Sequence, residues 1–125
     1  MNWFEDLPEN CPPKDAIKPN GENFYRLAKN NPPESEDFFS QRKEFPNTFF
    51  KNISECIARA VSTWKTPDKC LEQKKYPRHK NKVVAELTLH EKDGLIKQTF
   101  KKNHYSWWRS EDFSLESVKV IDESK

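Results

Sequence analysis

Residues 83–108, VVAELTLHEKDGLIKQTFKKNHYSWW, carry the clearest β periodicity, the clearest turn and the densest aromatic cluster in the chain, and they limit its fold more than any other stretch. Val83, Ala85, Leu87 and Leu89 alternate with Val84, Glu86 and Thr88, so one face of an extended strand is apolar. Glu91-Lys92-Asp93-Gly94 follows, in which Asp and Gly tolerate the positive φ of a tight reversal. Leu95, Ile96, Gln98, Thr99 and Phe100 resume the extended pattern, so the two runs are expected to pair as a hairpin. Beyond a polar break at 101–103 come His104, Tyr105, Ser106, Trp107 and Trp108, where period two sets Trp107 and Trp108 on opposite faces. At least one of these large rings is expected to meet water.

With 125 residues the chain has room for one compact domain. Hydrophobic and charged residues each make up 34%, a balance that leans towards disorder, but nine Phe, four Trp and three Tyr supply large buried area per residue. A small, ring-rich core is the consequence. Two glycines against nine prolines exclude a glycine-lined phosphate loop.

The net charge of +2 is unevenly spread. Residues 65–82 hold seven bases against Asp68 and Glu72, a balance of 7 − 2 = +5, whereas residues 110–125 hold two bases against five acids, 2 − 5 = −3. The N-terminus, MNWFEDLPEN, lacks the basic and apolar segments of a signal peptide, and no run of apolar residues is long enough to cross a membrane, so a cytoplasmic protein with no membrane partner is expected. Cys11, Cys56 and Cys70 are odd in number and lack metal-ligand spacing; reduced thiols and no metal site are expected.

Residues 1–22 are proline-rich and read as an extended arm that Trp3, Phe4 and Leu7 pin to a single domain over 23–121, followed by a short tail at 122–125. NFYRLA at 23–28 reads as a short strand with Phe24, Arg26 and Ala28 on one face. An arginine in so apolar a strand either points to water from an edge or lines a cleft that takes an anion. Acids precede bases over 34–43, which predicts a short helix burying Phe38 or Phe39. Ser54 is an N-cap, and the spacing of Ile53, Ile57, Ala60, Val61 and Trp64 predicts a helix from 54 to about 65. Thr66-Pro67-Asp68 starts another, reaching about 74 and burying Cys70 or Leu71. Val118, Val120 and Ile121 read as a weak last strand or an extended tail. The fold class is therefore α+β, a small, mostly antiparallel sheet with two or three short helices packed against it.

His79, His90 and His104 are the general-base candidates, and no fixed spacing pairs them with a nucleophile or a metal-ligand set. His104 stands out for its aromatic neighbours. The mixtures KKYPRHKNK and KQTFKKNHYSWWR combine bases with rings, as surfaces that bind single-stranded nucleic acid do.

In order, FYRL, DFFS, SECIARAVS, VVAELTL and HYSWW resemble a group of small bacterial proteins common in cyanobacteria, over most of residues 10–115. The genomes in which such proteins occur imply a defence-associated or toxin-neutralising accessory. The chain is also distantly similar to ADP-ribosyltransferase-like domains, a similarity that implies NAD as cofactor. There Arg26 matches the early-strand arginine that positions NAD, with Glu86 or His104 lining the cleft; the chain is short for that family.

Two functions follow as expectations. The first is a cofactor-free binding module for a protein or nucleic-acid partner, with Arg26, Lys101, Lys102, His104, Trp107, Trp108 and Arg109 as the binding residues and no catalytic residue. The second is a divergent ADP-ribosyltransferase-like enzyme or an inactive nucleotide-binding relative.

Overall fold

The computed structural model describes residues 1–121, so the tail at 122–125 lies outside the described residues. The chain runs β1 (Glu22–Ala28), α1 (Gln41–Glu44), α2 (Glu55–Ala58), β2 (Val61–Trp64), α3 (Asp68–Gln73), β3 (Val83–Leu89), β4 (Gly94–Gln98), β5 (His104–Arg109) and β6 (Val118–Val120). Short 3-10 turns occupy Ser35–Phe38, Pro77–His79, Glu91–Asp93 and Leu115–Ser117. All neighbouring strands are antiparallel, in the order β4-β5-β2-β1-β3-β6. The α+β class expected from the sequence is the one observed.

The expected hairpin is not. β3 pairs with β1 through seven registered positions, from Glu22↔Leu89 to Ala28↔Val83, and β4 pairs with β5. The two alternating runs thus lie four places apart in one sheet. Four strand spacings would separate them by roughly 19 Å in a flat sheet. Five extended Cα steps from Leu89 to Gly94 reach at most about 18 Å, and this link is coiled into a 3-10 turn. The sheet must therefore curl. The arm crosses the open seam, bridging Ile17 to Ile96 on β4 and donating from Gly21 N–H to the Leu89 carbonyl at the end of β3. The true hairpin is β4–β5, whose turn sets Phe100 and Asn103 at positive φ.

Opposed residues of an antiparallel pair share a face. Phe24, Leu87, Val61, Ile96 and Trp107 fall on the inner face of the curl and form one buried cluster with Phe38 and Phe113. Ser62, Trp64, His104, Ser106 and Trp108 fall on the outer face, where the Trp108 indole N–H donates to the Cys56 carbonyl in α2. Trp107 and Trp108 are both wholly buried, one on each side of the sheet, so neither ring meets water as expected. Gly94 lies so close under the Trp108 carbonyl that a Cβ would fall 2.0 Å from it.

The helix expected over 54–65 stops after one turn. Ser54 caps it as read, accepting from Ile57 N–H, but β2 follows at once and becomes a central strand. Val61 and Thr63 alternate with Ser62 and Trp64, and these β-branched and aromatic side chains fit a pleated surface better than a helical turn. The helix expected over 34–43 is likewise broken at Phe39 into a 3-10 turn and α1; Phe38 is buried as read. α3 lies within its expected span and buries Cys70, while Leu71 faces outwards.

The expectation of three reduced thiols is overturned by a Cys11–Cys56 disulfide with Cα atoms 5.6 Å apart. The partners are 45 residues apart, and the bond ties the arm to α2. Cys70 stays a thiol.

Candidate functional site

β1 and β2 pair at a single position, Tyr25↔Trp64. Next to that position a cleft of about 470 Å³ opens, lined by Arg26 and Leu27 from β1 and Ser62 and Trp64 from β2. Phe39, Gln41, Glu44 and Phe45, in and beside α1, and Gln73, Arg78, His79 and Lys82, between α3 and β3, complete the lining. Among the described residues that line it, the cations Arg26, Arg78 and Lys82 share the cleft with one carboxylate, Glu44, which acts electrostatically on Arg26 and Lys82.

Arg26 is half-buried, and among the described residues its guanidinium makes no ion pair. Its Nε donates to the Asp37 carbonyl at 2.7 Å, Nη1 to the Ser62 carbonyl at 2.8 Å and Nη2 to the Phe39 carbonyl at 3.4 Å. Burial lowers its proton affinity, with Glu44 among the groups that oppose the shift. Burial likewise lowers Lys82, and Arg26, Lys29 and Arg78 push it further down against the pull of Glu44. His79 is lowered by burial, then by Lys82 and Arg78, and its Nδ1 is buried without a hydrogen-bond partner among the described residues. Positive charge is crowded here, and a bound anion would relieve it.

The other expected binding residues divide. Lys101 and Lys102 are exposed on the β4–β5 turn. Arg109 is 8% exposed and belongs to the core: it donates to the Ser35 and Phe38 carbonyls and to Ser35 Oγ, with its guanidinium 3.7 Å from the Phe4 ring centroid. Desolvation pushes its pKa down to about 10. Trp107 and Trp108, being wholly buried, offer no stacking surface, and the expected patch of bases and rings at 101–109 reduces to two exposed lysines beside the exposed Phe100 ring. Period-two alternation showed that the two tryptophans part, without showing that both sides of this strand are covered.

His104 is buried against Trp64, with ring centroids 4.7 Å apart. Its Nε2 lies 2.6 Å from Ser62 Oγ, and its Nδ1 lies 3.1 Å from the Thr99 carbonyl. Ser62 links the two expected residues, because its carbonyl accepts from Arg26 and its hydroxyl meets His104. Ser62 and Gln41 line both the cleft and a second cavity of about 210 Å³ next to His104. Glu86 lies elsewhere: the register sets it opposite Tyr25, on the face away from Arg26, where it accepts from the Tyr25 hydroxyl and pairs with Lys119 at 3.2 Å. An Arg26–Glu86 site does not form.

No family model, curated protein or solved structure matches this chain. Among the described residues no cluster of His, Cys, Asp or Glu is placed to hold a metal ion, and no helix is long and apolar enough to cross a membrane.

Sequence reasoning flagged the basic run 65–82 and Arg26 separately. That they line one cleft was not visible, and Ser62 and Gln41 carried no signal in the sequence. A strand assignment for VSTW would have exposed Ser62, since it sets the hydroxyl on the face opposite Val61.

Proposed function

We propose that the protein is a binding module whose recognition element is the cleft of Arg26, Arg78, His79 and Lys82, and that it takes a phosphate-bearing group carrying a flat ring. The observation that carries this reading is the crowding of three cations around one carboxylate in a concave site, where each lowers the proton affinity of a neighbour. Trp64 in the cleft, Phe45 at 51% exposure and Tyr76 at 62% on the adjoining loop supply rings on which a base could stack. The volume falls within the range of small-molecule sites and suits one nucleotide better than a folded partner.

A nucleotide can arrive free or within a single strand, and the test separates the two. Tryptophan fluorescence and calorimetry are followed while adenosine monophosphate, NAD, a short oligothymidylate or an acidic peptide is added. Nucleotide binding that weakens in Arg78→Ala and Lys82→Ala supports the reading, and preference for the oligonucleotide identifies a strand-binding module. Preference for NAD, stabilising the fold by about 2.7 kcal/mol at a hundred times its dissociation constant, favours the NAD-dependent alternative, which retains Arg26 but not Glu86. Binding of the acidic peptide alone, or no binding at millimolar ligand, contradicts the reading. The Cys11–Cys56 bond favours an oxidising compartment for this activity over the reducing cytosol.

A further inference from the structure

The second cavity, about 210 Å³, joins a hydroxyl–imidazole pair to an apolar wall of Ile53, Ile57, Ala60 and Phe100. The tautomer of His104 follows from its partners. A carbonyl oxygen only accepts, so the contact from Nδ1 to Thr99 O requires the proton on Nδ1. Nε2 is then a lone-pair acceptor, and the Ser62 hydroxyl donates to it. Thr99 Oγ1 lies 3.1 Å from the same Nδ1 and 2.8 Å from Ser106 Oγ, so the imidazole is braced on its far side by a second hydroxyl pair. Burial lowers the proton affinity of His104, the hydrogen bond to the Thr99 carbonyl opposes the shift and Lys101 adds to it, so the ring is neutral at neutral pH with a free lone pair on Nε2. Arg26 holds the Ser62 carbonyl, fixing the strand that carries the hydroxyl. Nucleophile, base and orienting acceptor are thus in the relation that acyl transfer requires.

We propose that Ser62 is a nucleophile activated by His104, and that the protein hydrolyses esters whose small apolar acyl group lies against Ile53, Ile57, Ala60 and Phe100. Ser62 Oγ attacks the ester carbonyl carbon as its proton passes to His104 Nε2. The tetrahedral intermediate collapses with cleavage of the bond to the alcohol oxygen, which leaves with the proton from Nε2. Water then attacks the acyl-Ser62 carbonyl, giving its proton to Nε2, and the released Ser62 oxygen recovers it as the carboxylic acid departs. Gln41 lines the same cavity and carries the side-chain N–H donors for the oxyanion. This activity uses the smaller cavity and stands independently of nucleotide binding in the cleft.

The test is exposure of the native protein to an alkyl fluorophosphonate, in which the Ser62 oxygen forms a bond to phosphorus and fluoride leaves, followed by peptide mapping. A single adduct on Ser62, absent in Ser62→Ala and formed about 100-fold or more slowly in His104→Gln, is expected. Hydrolysis of 4-nitrophenyl butyrate should fall in parallel. No adduct on the folded wild-type protein, an adduct elsewhere, or ester hydrolysis unchanged in Ser62→Ala would overturn the proposal. Mapping of the wild-type adduct requires no variant, so a misfolded His104→Gln leaves the test intact.

Discussion

Arg26 and Arg109 do the same local work in opposite settings. Both reach from the inner face of the sheet to the backbone of residues 35–39, Arg26 taking the Asp37 and Phe39 carbonyls and Arg109 those of Ser35 and Phe38. Arg109 is closed over by rings, with Phe4 at 3.7 Å and Phe113 at 5.3 Å from its guanidinium. Arg26 instead lines an open cleft among further cations. A buried arginine that satisfies carbonyls is structural by default, and it becomes a candidate for recognition when the space beside it is open and its neighbours share its charge.

The sharpest way to break the contrast is to loosen the arm that covers Arg109. Reduction of Cys11–Cys56, which closes a loop of 45 residues, should cost about 4 kcal/mol of stability by the chain-entropy relation, read from denaturant melts with and without reductant. Alkylation without reductant should then mark Cys70 alone, after unfolding. Next in size, Arg109→Ala leaves the Ser35 and Phe38 carbonyls without their donor and should cost about 2–4 kcal/mol, with little change in nucleotide affinity per folded molecule. Lys82→Ala should do the reverse, lowering affinity roughly tenfold, about 1.4 kcal/mol, while the melting midpoint hardly moves. An equal effect of Arg109→Ala and Lys82→Ala on affinity would erase the distinction between the two regions.

The smallest expected effect is that of pH. The pKa of His79 is depressed in the free protein, so His79 gains its proton only as pH falls below the ordinary imidazole range, and a bound phosphate raises that pKa again. Nucleotide affinity should therefore rise as pH falls from 8 towards 5, and His79→Gln should flatten the change. Stability runs the other way: His79 and His104 are both depressed in the folded chain, so the stability present above the unfolded histidine pKa is lost as pH falls through their folded values. Melts across the same range check this.

Features fixed by neighbours along the chain were legible in the sequence. The FYRL strand, the Ser54 cap and the span of α3 all follow from residues within a turn or two of one another. Partner choice was not legible, because the alternation of Val83, Ala85, Leu87 and Leu89 suits any partner with an apolar face, and β1 offered seven registered positions where the turn offered proximity. The same limit hid the candidate chemistry. Ser62 and His104 are 42 residues apart and meet only because β2 and β5 are neighbours, and Cys11 and Cys56 are 45 residues apart with no local pattern to pair them. The residue pattern HYSWWR advertised rings and a charge as a surface, but the sheet is covered on both faces, which buries Trp107 and Arg109 on one side and His104 and Trp108 on the other.

Recognition by the cleft is read residue by residue from chemical-shift mapping of the backbone amides during titration with adenosine monophosphate. Perturbations centred on Arg26, Trp64, Arg78 and Lys82, with Arg109 and the 101–102 lysines unmoved, are the predicted result. Perturbations centred on Lys101 and Lys102, or none at saturating nucleotide, would contradict it.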